Sequence, residues 1–390
     1  MEPNGWKHSK LPDFAWFQEG PGLRKWQFTD SGCKVINITN IVNGVLDLNK
    51  TDRFISYEEL NAKYKHFLCD PGDIVIASSG NSYCKHGIIR EQDLPLVMNT
   101  SVIRFKPLDN CDYEFLNQFL KSKYLKQQID ILITGGAQPN FGPAHLKEVV
   151  LSLPPLPEQQ KIAKILSTWD QAIATTERLI AASQQQKKPL MQQLLTGKKR
   201  LVNPETGKVF EGDWAFASFN EIFKVANNKS TQVQASDYLE IGKFPIVDQG
   251  KALIGGFTNN KEIYKDLPVI IFGDHTRAVK WVDFEFAPGA DGTQVLKSLS
   301  HIDTKFSYYL LLHTDIPNLG YSRHMRELKE KDFKYPVDII EQQKIASVLT
   351  TADQEIELLE AKLAHLKDEK KALMQQLLTG KRRVIVSEMD

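Results

Sequence analysis

Four loops of this chain carry clusters of side chains that can donate and accept hydrogen bonds. One pair lies in the first half, after DIVIA and within TGGAQPNFGP, and the other in the second half, after PVIIFG and within NLGYSRHMRE. The candidate side chains are Ser78, Ser79, Asn81, Lys85, Gln138 and Asn140 in the first half, and His275, Thr276, Arg277, Lys280, Tyr321, Ser322, Arg323, His324 and Arg326 in the second. Such groups on loops are suited to recognising the polar groups of a ligand. Ordinary solvated loops are the alternative interpretation.

The motifs that bond-making chemistry would need are missing from the sequence. The segment LLTGKKR lacks the leading glycine and the hydroxyl of a phosphate-binding loop, and neither an N/D-P-P-Y/F tetrapeptide nor an H-E-x-x-H pair occurs. His66, Cys69, Cys84 and His86 look like metal ligands, but their spacing does not match known zinc modules. We therefore predict no catalytic residue, no metal and no cofactor bound by this chain.

Composition places the chain among ordinary globular proteins. Its 390 residues suffice for several domains, with 42% hydrophobic and 25% charged residues. A net charge of +1 neither demands nor excludes a nucleic-acid partner, because attraction of phosphate depends on local charge. The N-terminus does not resemble a signal peptide, and no apolar run approaches the length of a membrane span. Four cysteines and these absences predict a cytoplasmic protein without membrane contact.

One long stretch occurs twice, and it must position the loops. Residues 158–200, from EQQKIAKIL to LMQQLLTGKKR, match residues 341–383, from EQQKIASVL to LMQQLLTGKRR, without a gap. Every residue of the first copy has its counterpart 183 positions later. A repeat of this length predicts a duplicated half-protein with pseudo-two-fold symmetry. The helix of the first copy should begin near Pro157 or Glu158, and glycines at its C-terminal end and at the equivalent place in the second copy, Gly197 and Gly380, should terminate the helices.

Both copies have apolar residues in steps of three and four, which predicts a coiled-coil seam. The seam residues are Leu166, Trp169, Ile173, Ile180, Leu190 and Leu194 in the first copy, and Leu349, Ile356, Leu359, Leu363, Leu366, Leu373 and Leu377 in the second. Lys187 and Lys370 occupy equivalent seam positions, and Pro189 should kink or break the first helix. We prefer an antiparallel pair within one chain, and a coiled coil between two chains is the alternative.

A variable segment precedes each copy of the repeat. Runs rich in Val and Ile, bounded by turn residues, predict strands in both segments, and residues 113–129 have the spacing of one amphipathic helix. DIVIASSGNS corresponds in order to PVIIFGDHT, and YEFLNQFL to KFSYYLLL. The predicted domains are therefore 1–152, a helix within 153–200, 201–336, and a helix within 337–385. The fold class is α+β: two mixed α/β domains separated by two long antiparallel helices.

The two divergent domains, each followed by an EQQKIA helix that ends in LMQQLLTG, resemble the specificity subunit of type I restriction–modification systems. The resemblance covers essentially the whole chain. It implies two target recognition domains that each read one half of a bipartite, asymmetric site in double-stranded DNA. It also implies that the helical pair sets the spacer between the half-sites and docks two modification subunits, with restriction subunits joining the complex. S-adenosylmethionine, ATP and Mg²⁺ are then expected on those partners.

With this resemblance, the four polar loops become the candidate DNA-binding sites. Phosphate contacts position a protein on DNA, and contacts with base edges specify the sequence. The basic helix ends, Lys198 to Arg200 and Lys381 to Arg383, are either phosphate contacts or helix caps. Two further hypotheses remain open from the sequence: a DNA-modifying enzyme with an unfamiliar site, and a coiled-coil module that binds only proteins.

Overall fold

The computed structural model describes residues 5–42, 44–80, 83–133, 139–320 and 322–386. These residues form two compact units. Unit 1 comprises 1–176 and 362–390, and unit 2 comprises 177–361. Each unit thus contains one variable segment, the first part of its own long helix and the last part of the other long helix.

Unit 1 begins with strands and short helices that lead into the first long helix. Its strands are β1 (Lys7–Lys10), β2 (Ala15–Glu19), β3 (Cys33–Ile36), β4 (Ile41–Val42), β5 (Val45–Leu46), β6 (Phe54–Ile55), β7 (Ile74–Ala77), β8 (His86–Ile88), β9 (Leu96–Met98), β10 (Val102–Pro107) and β11 (Val150–Leu153). Its helices are α1 (Tyr57–Glu59), α2 (Tyr113–Leu120), α3 (Lys123–Leu132), α4 (Pro143–Leu146) and the start of α5 (Leu156–Leu195).

Unit 2 has a similar order of elements. Its strands are β12 (Trp214–Ser218), β13 (Phe223–Val225), β14 (Phe244–Val247), β15 (Gly256–Thr258), β16 (Val269–Gly273), β17 (Val279–Val282), β18 (Ala287–Pro288), β19 (Thr293–Ser298) and β20 (Asp332–Pro336). Its helices are α6 (Phe219–Ile222), α7 (Thr304–His313), α8 (Met325–Lys329) and the start of α9 (Ile339–Leu377).

Three sheets have the same topology in both units, and unit 1 has the additional pair β4-β5. The four-stranded antiparallel sheet β2-β10-β7-β8 corresponds to β13-β19-β16-β17, and the pair β1-β11 to β12-β20. In the three-stranded sheets, β3 is parallel to β9 and antiparallel to β6, as β14 is parallel to β18 and antiparallel to β15. The duplication therefore includes the variable segments, and the predicted correspondence of DIVIA (β7) with PVIIFG (β16) is confirmed.

Helix α2 corresponds to α7, and an aspartate caps each one. The carboxylate of Asp112 accepts the N–H of Phe115 at 2.9 Å, and that of Asp303 accepts the N–H of Phe306 at 2.8 Å. The single helix predicted over 113–129 is wrong, because the chain turns after α2 and the hydroxyl of Ser122 caps α3. This turn lets Leu125 and Ile129 reach the core that α2 already faces.

The long helices α5 and α9 pack against each other inside each unit, and they run antiparallel. Asp170 of α5 forms an ion pair with Lys370 of α9 in unit 1, and Lys187 of α5 forms one with Asp353 of α9 in unit 2. Residue numbers therefore rise along α5 while they fall along the facing α9. The preferred pairing within one chain is thereby confirmed. Helix α5 continues through Pro189, so the helix does not break there, and the alternative of a kink stays a prediction. Pro189 and Gln185, whose carbonyl loses its helical partner, are both exposed, which lets water solvate that carbonyl.

The seam positions named above are all buried or half-buried. In unit 1, Leu166 and Leu377 share one core cluster with the helix α2 residues, and in unit 2 Leu349 and Leu194 share the equivalent cluster. Gly197 and Gly380 end the two repeats with φ of +73° and +69°. This left-handed conformation is the reason for glycine at both positions.

Candidate nucleic-acid interface

The two predicted loops of unit 1 are joined by main-chain hydrogen bonds at the end of β7. The N–H of Ser78 donates to the carbonyl of Ser101 at 2.8 Å, and its own carbonyl accepts the N–H of Phe141 at 3.0 Å. Ser79 and Asn140 form a further bridge between the same loops. Three loops therefore meet at Ser78, and they bring Ser79 and Asn140 together.

Unit 2 repeats this junction at the end of β16. The N–H of Asp274 donates to the carbonyl of Gly292 at 2.7 Å, and the carbonyl of Asp274 accepts the N–H of His324 at 2.8 Å. The carboxylate of Asp274 also accepts the N–H of Met325 at 2.7 Å. The same three loops thus meet in both units, although their sequences differ.

Several of the predicted side chains lie at the surface of these junctions. They are Lys85 and Asn140, with half-buried Ser79, in unit 1, and Thr276, Ser322, Arg323 and Arg326 in unit 2. The side chain of Arg326 is 85% exposed and lies 3.4 Å from Glu330. An exposed ion pair of this kind contributes little to stability, so the guanidinium is available to a ligand.

Three predicted side chains point inward. Ser78 and His324 are completely buried, and the ring of His324 is 2.8 Å from the carbonyl of Asp274. Lys280 is also buried and donates to the carbonyl of Asp248 at 2.7 Å. Burial lowers the pKa of Lys280, and the nearby Asp248 carboxylate opposes this shift. The side chains of His324 and Lys280 therefore hold loops in place, and none of the three presents its polar groups at the surface.

Two other predicted residues are anchored within unit 2. A guanidinium nitrogen of half-buried Arg277 donates to the carbonyl of Ile316 at 2.7 Å, and Arg277 has a φ of +60°. The main-chain N–H of His275 donates to the side-chain oxygen of Gln249 at 3.2 Å. Asn81, Gln138 and Tyr321 lie outside the described residues.

The structure adds residues that the sequence interpretation missed. In unit 2, Gln249 bonds to His275 and to the hydroxyl of Thr276, so it links the loop after β14 to the junction. In unit 1, Leu23 donates its N–H to the side chain of Asn99 at 3.2 Å, beside the junction residue Ser101. The segment after Leu23 carries exposed Arg24 and Lys25, and Trp26 is 78% exposed. A tryptophan directly after two cations was the signal in the sequence that could have indicated this segment.

The basic helix ends form internal ion pairs. Arg200 makes a bidentate pair with the buried carboxylate of Glu341, with N···O distances of 2.6 and 2.7 Å. At the equivalent place in unit 1, Arg383 pairs with Glu158, and its guanidinium carbon lies 5.5 Å from the Trp6 ring centroid. Lys198, Lys199, Lys381 and Arg382 remain exposed. The two arginines therefore join the end of one repeat to the start of the other.

No group of three or more His, Cys, Asp or Glu side chains is placed to hold a metal ion in the part of the chain that the structure describes. Burial raises the pKa of the Cys69 and Cys84 thiols to about 12, and those thiols are protonated at neutral pH. Among the described residues, no helix is long and apolar enough to cross a membrane.

This fold and site define a class of proteins with two α/β domains of common topology, each packed on an antiparallel pair of helices. The sequence model of the type I restriction modification DNA specificity domain matches residues 3–183 and 211–368. The chain therefore belongs to that family.

Curated relatives agree with this assignment. A Methanocaldococcus jannaschii protein assigned as the MjaX type I restriction enzyme specificity subunit is 27% identical over 410 residues, covering 98% of this chain and 95% of the relative. The MjaVIII specificity subunit of the same organism is 30% identical over 205 residues, covering 52% of this chain and 48% of the relative. The EcoR124I/EcoR124II specificity subunit of Escherichia coli is 38% identical over 96 residues, covering 23% and 24% of the two chains.

Two solved structures share the fold. The S subunit of a type I restriction–modification system from M. genitalium has a TM-score of 0.60 at 18% identity, covering 97% of this chain and 99% of that chain. A chain from a study of complex assembly and conformational transition in the type I system has a TM-score of 0.58 at 16% identity, covering 98% and 100%. Both similarities concern the fold.

Proposed function

We propose that this chain is the DNA specificity subunit of a type I restriction–modification complex. Each unit reads one half of a bipartite, asymmetric target in double-stranded DNA with the loops that meet at Ser78 or Asp274. The observation that carries this proposal is the duplicated three-loop junction, which presents different exposed side chains on the same main-chain scaffold. Family membership supports it, because the matched domain is a DNA specificity domain.

The chain itself is non-catalytic and binds no cofactor in this proposal. Two modification subunits dock on the helical pair and carry S-adenosylmethionine, and restriction subunits carry ATP and Mg²⁺. The helical pair sets the number of unread base pairs between the half-sites. The complex acts in the cytoplasm.

The test is methylation mapping of a host genome that expresses this chain with its modification subunit. One measurement returns both half-sites and the gap between them. A heptad inserted after Thr176 and another after its counterpart Leu359 would lengthen each helix by about 10 Å. At 3.4 Å per base pair, the mapped gap should grow by about three base pairs while both half-sites stay the same. Altered half-sites with an unchanged gap would contradict the proposal.

A separate experiment tests the enzyme hypothesis. The purified chain is incubated with DNA and either S-adenosylmethionine or Mg²⁺, and we expect no turnover. A module that binds only proteins would give a complex without any sequence preference.

A further inference from the structure

A cavity of about 630 Å³ lies in unit 1, between the start of α3 and the helices α5 and α9. This volume is within the range of small-molecule binding sites. Six lysines line it: Lys121, Lys123, Lys367, Lys370, Lys371 and Lys381. The lining contains a single carboxylate, Asp170, so the described walls carry a strong excess of positive charge.

The one carboxylate is already engaged by two of these lysines. The Asp170 oxygens lie 2.6 Å from the ammonium of Lys370 and 3.9 Å from that of Lys121. Burial would raise the pKa of Asp170, but hydrogen bonds from the Gln118 amide and Lys370 outweigh it and lower this pKa. Asp170 therefore remains ionised and neutralises at most part of the buried charge. The exposed lysines of the lining, Lys123, Lys371 and Lys381 among them, keep the cavity attractive to anions, and a concave wall strengthens their field.

The remaining wall is apolar and aromatic. Tyr124, Ile173 and Met374 line it, and all three side chains are half-buried. A flat base can pack on such a surface. Ammonium groups can hold the phosphate oxygens at the same time, because lysine binds phosphate as a point charge. In unit 2 the residues after α7, from Thr314 to Gly320, form no helix, so that unit lacks the element that corresponds to the α3 wall.

We propose that this cavity binds a phosphate-bearing nucleotide, either a free nucleotide or a nucleotide of the DNA backbone. None of the loop residues named above lines the cavity. For a free nucleotide the proposal stands without the function proposed above, and for a nucleotide of the DNA backbone it rests on that function. The lysines hold the phosphates, and Tyr124 with its apolar neighbours packs against the base of a free nucleotide or the sugar of a backbone nucleotide.

The experiment measures binding of ATP, AMP and inorganic phosphate to the full chain by calorimetry. The duplication supplies a matched control, because Lys188 is the counterpart of Lys371, is equally exposed and does not line the cavity. We expect saturable ATP binding at one site per chain, tighter than that of inorganic phosphate. Lys371→Glu should weaken it by about tenfold, and Lys188→Glu should change it by less than about twofold.

The variant Lys381→Glu repeats the comparison, with its counterpart Lys198→Glu as control. Thermal unfolding checks that each variant folds.

Competition between ATP and a short DNA duplex distinguishes the two sources of the bound phosphate, a free nucleotide and the DNA backbone. If the duplex displaces ATP and Lys371→Glu lowers the salt dependence of DNA binding, the phosphate belongs to DNA. If the duplex does not displace ATP, it belongs to a free nucleotide. Absence of saturable binding by all three phosphates, or equal losses in the Lys371 and Lys188 variants, would overturn the proposal.

Discussion

The two compact units have the same strand order but differ in the side chains of their loops. The junction in each unit depends on main-chain groups: Ser78 and Asp274 make equivalent bonds with unlike side chains. The residue that receives the first bond has a positive φ in both, +71° at Ser101 and +61° at Gly292. At Gly292 an added Cβ would lie 2.4 Å from the side-chain oxygen of Gln249, so a larger residue there would have to displace that side chain. Because the bonds do not need particular side chains, the loops can change their chemistry while keeping their place.

The helical parts show the opposite behaviour, because there the side chains themselves are repeated. Glu158 with Arg383 and Glu341 with Arg200 are the same ion pair formed twice, each between the two repeats. A glutamine follows each glutamate, and the amides of Gln159 and Gln342 bond to equivalent loop atoms before α2 and α7. Conservation between the repeats therefore follows the contacts that join them.

The largest expected effect distinguishes the two ion pairs. Arg200→Ala leaves the Glu341 carboxylate, 1% exposed, without its bidentate partner, which should cost about 3 to 5 kcal/mol in the free energy of unfolding. Arg383→Ala should cost less, about 1.5 kcal/mol, because Arg383 is 40% exposed and Glu158 keeps a hydrogen bond from Trp6. Urea unfolding measures both losses of stability. The controls are Lys199→Ala and Arg382→Ala, which change exposed residues at equivalent positions of the two repeats. Equal losses for the two arginines would contradict this account.

The next effect separates the two reading sites. Arg323→Ala removes an exposed guanidinium from unit 2, and Lys85→Ala removes an exposed ammonium from unit 1. If either side chain contacts a base edge, its loss should cost about 1 to 3 kcal/mol of discrimination. Methylation mapping should then show that each variant has lost sequence specificity at one half-site only. The affected half-site should differ between the two variants. Relaxation of the same half-site by both variants would show that the units do not read independently.

A smaller effect concerns Trp26, which has no equivalent exposed tryptophan among the described residues of unit 2. We expect Trp26→Ala to weaken DNA binding by about tenfold, because exposed aromatic residues beside cations often dominate an interface. Fluorescence anisotropy of the assembled complex measures this change, and Phe216→Ala, another highly exposed aromatic residue, is the control. An affinity unchanged by Trp26→Ala would exclude this segment from the interface.

The smallest effect should be equal in the two units. Asp112→Ala and Asp303→Ala each remove one helix cap, which should cost about 1 kcal/mol in the free energy of unfolding. Denaturant titration of both variants measures the two losses. A difference of several kcal/mol between the two losses would show that the equivalent caps contribute differently to the stability of the protein.

The sequence alone determined the repeat, the heptad seam, the terminal glycines and the family resemblance. These features depend on residue spacing along one helix or on identity at a constant offset, and both are visible in the chain. The matching order of the strands was also predictable, because Val and Ile runs and turn residues are local signals.

Only the tertiary structure decided which polar residues are exposed. Ser78, Lys280 and His324 are polar, like the exposed Ser322, Lys85 and Arg323, yet packing buries them. Arg200 and Arg383 form internal ion pairs. The partner of a long side chain is often far away in sequence, as Glu341 is from Arg200. Spacing along the chain holds no information about such a partner, and only the antiparallel pairing of the helices within each unit brings the two together.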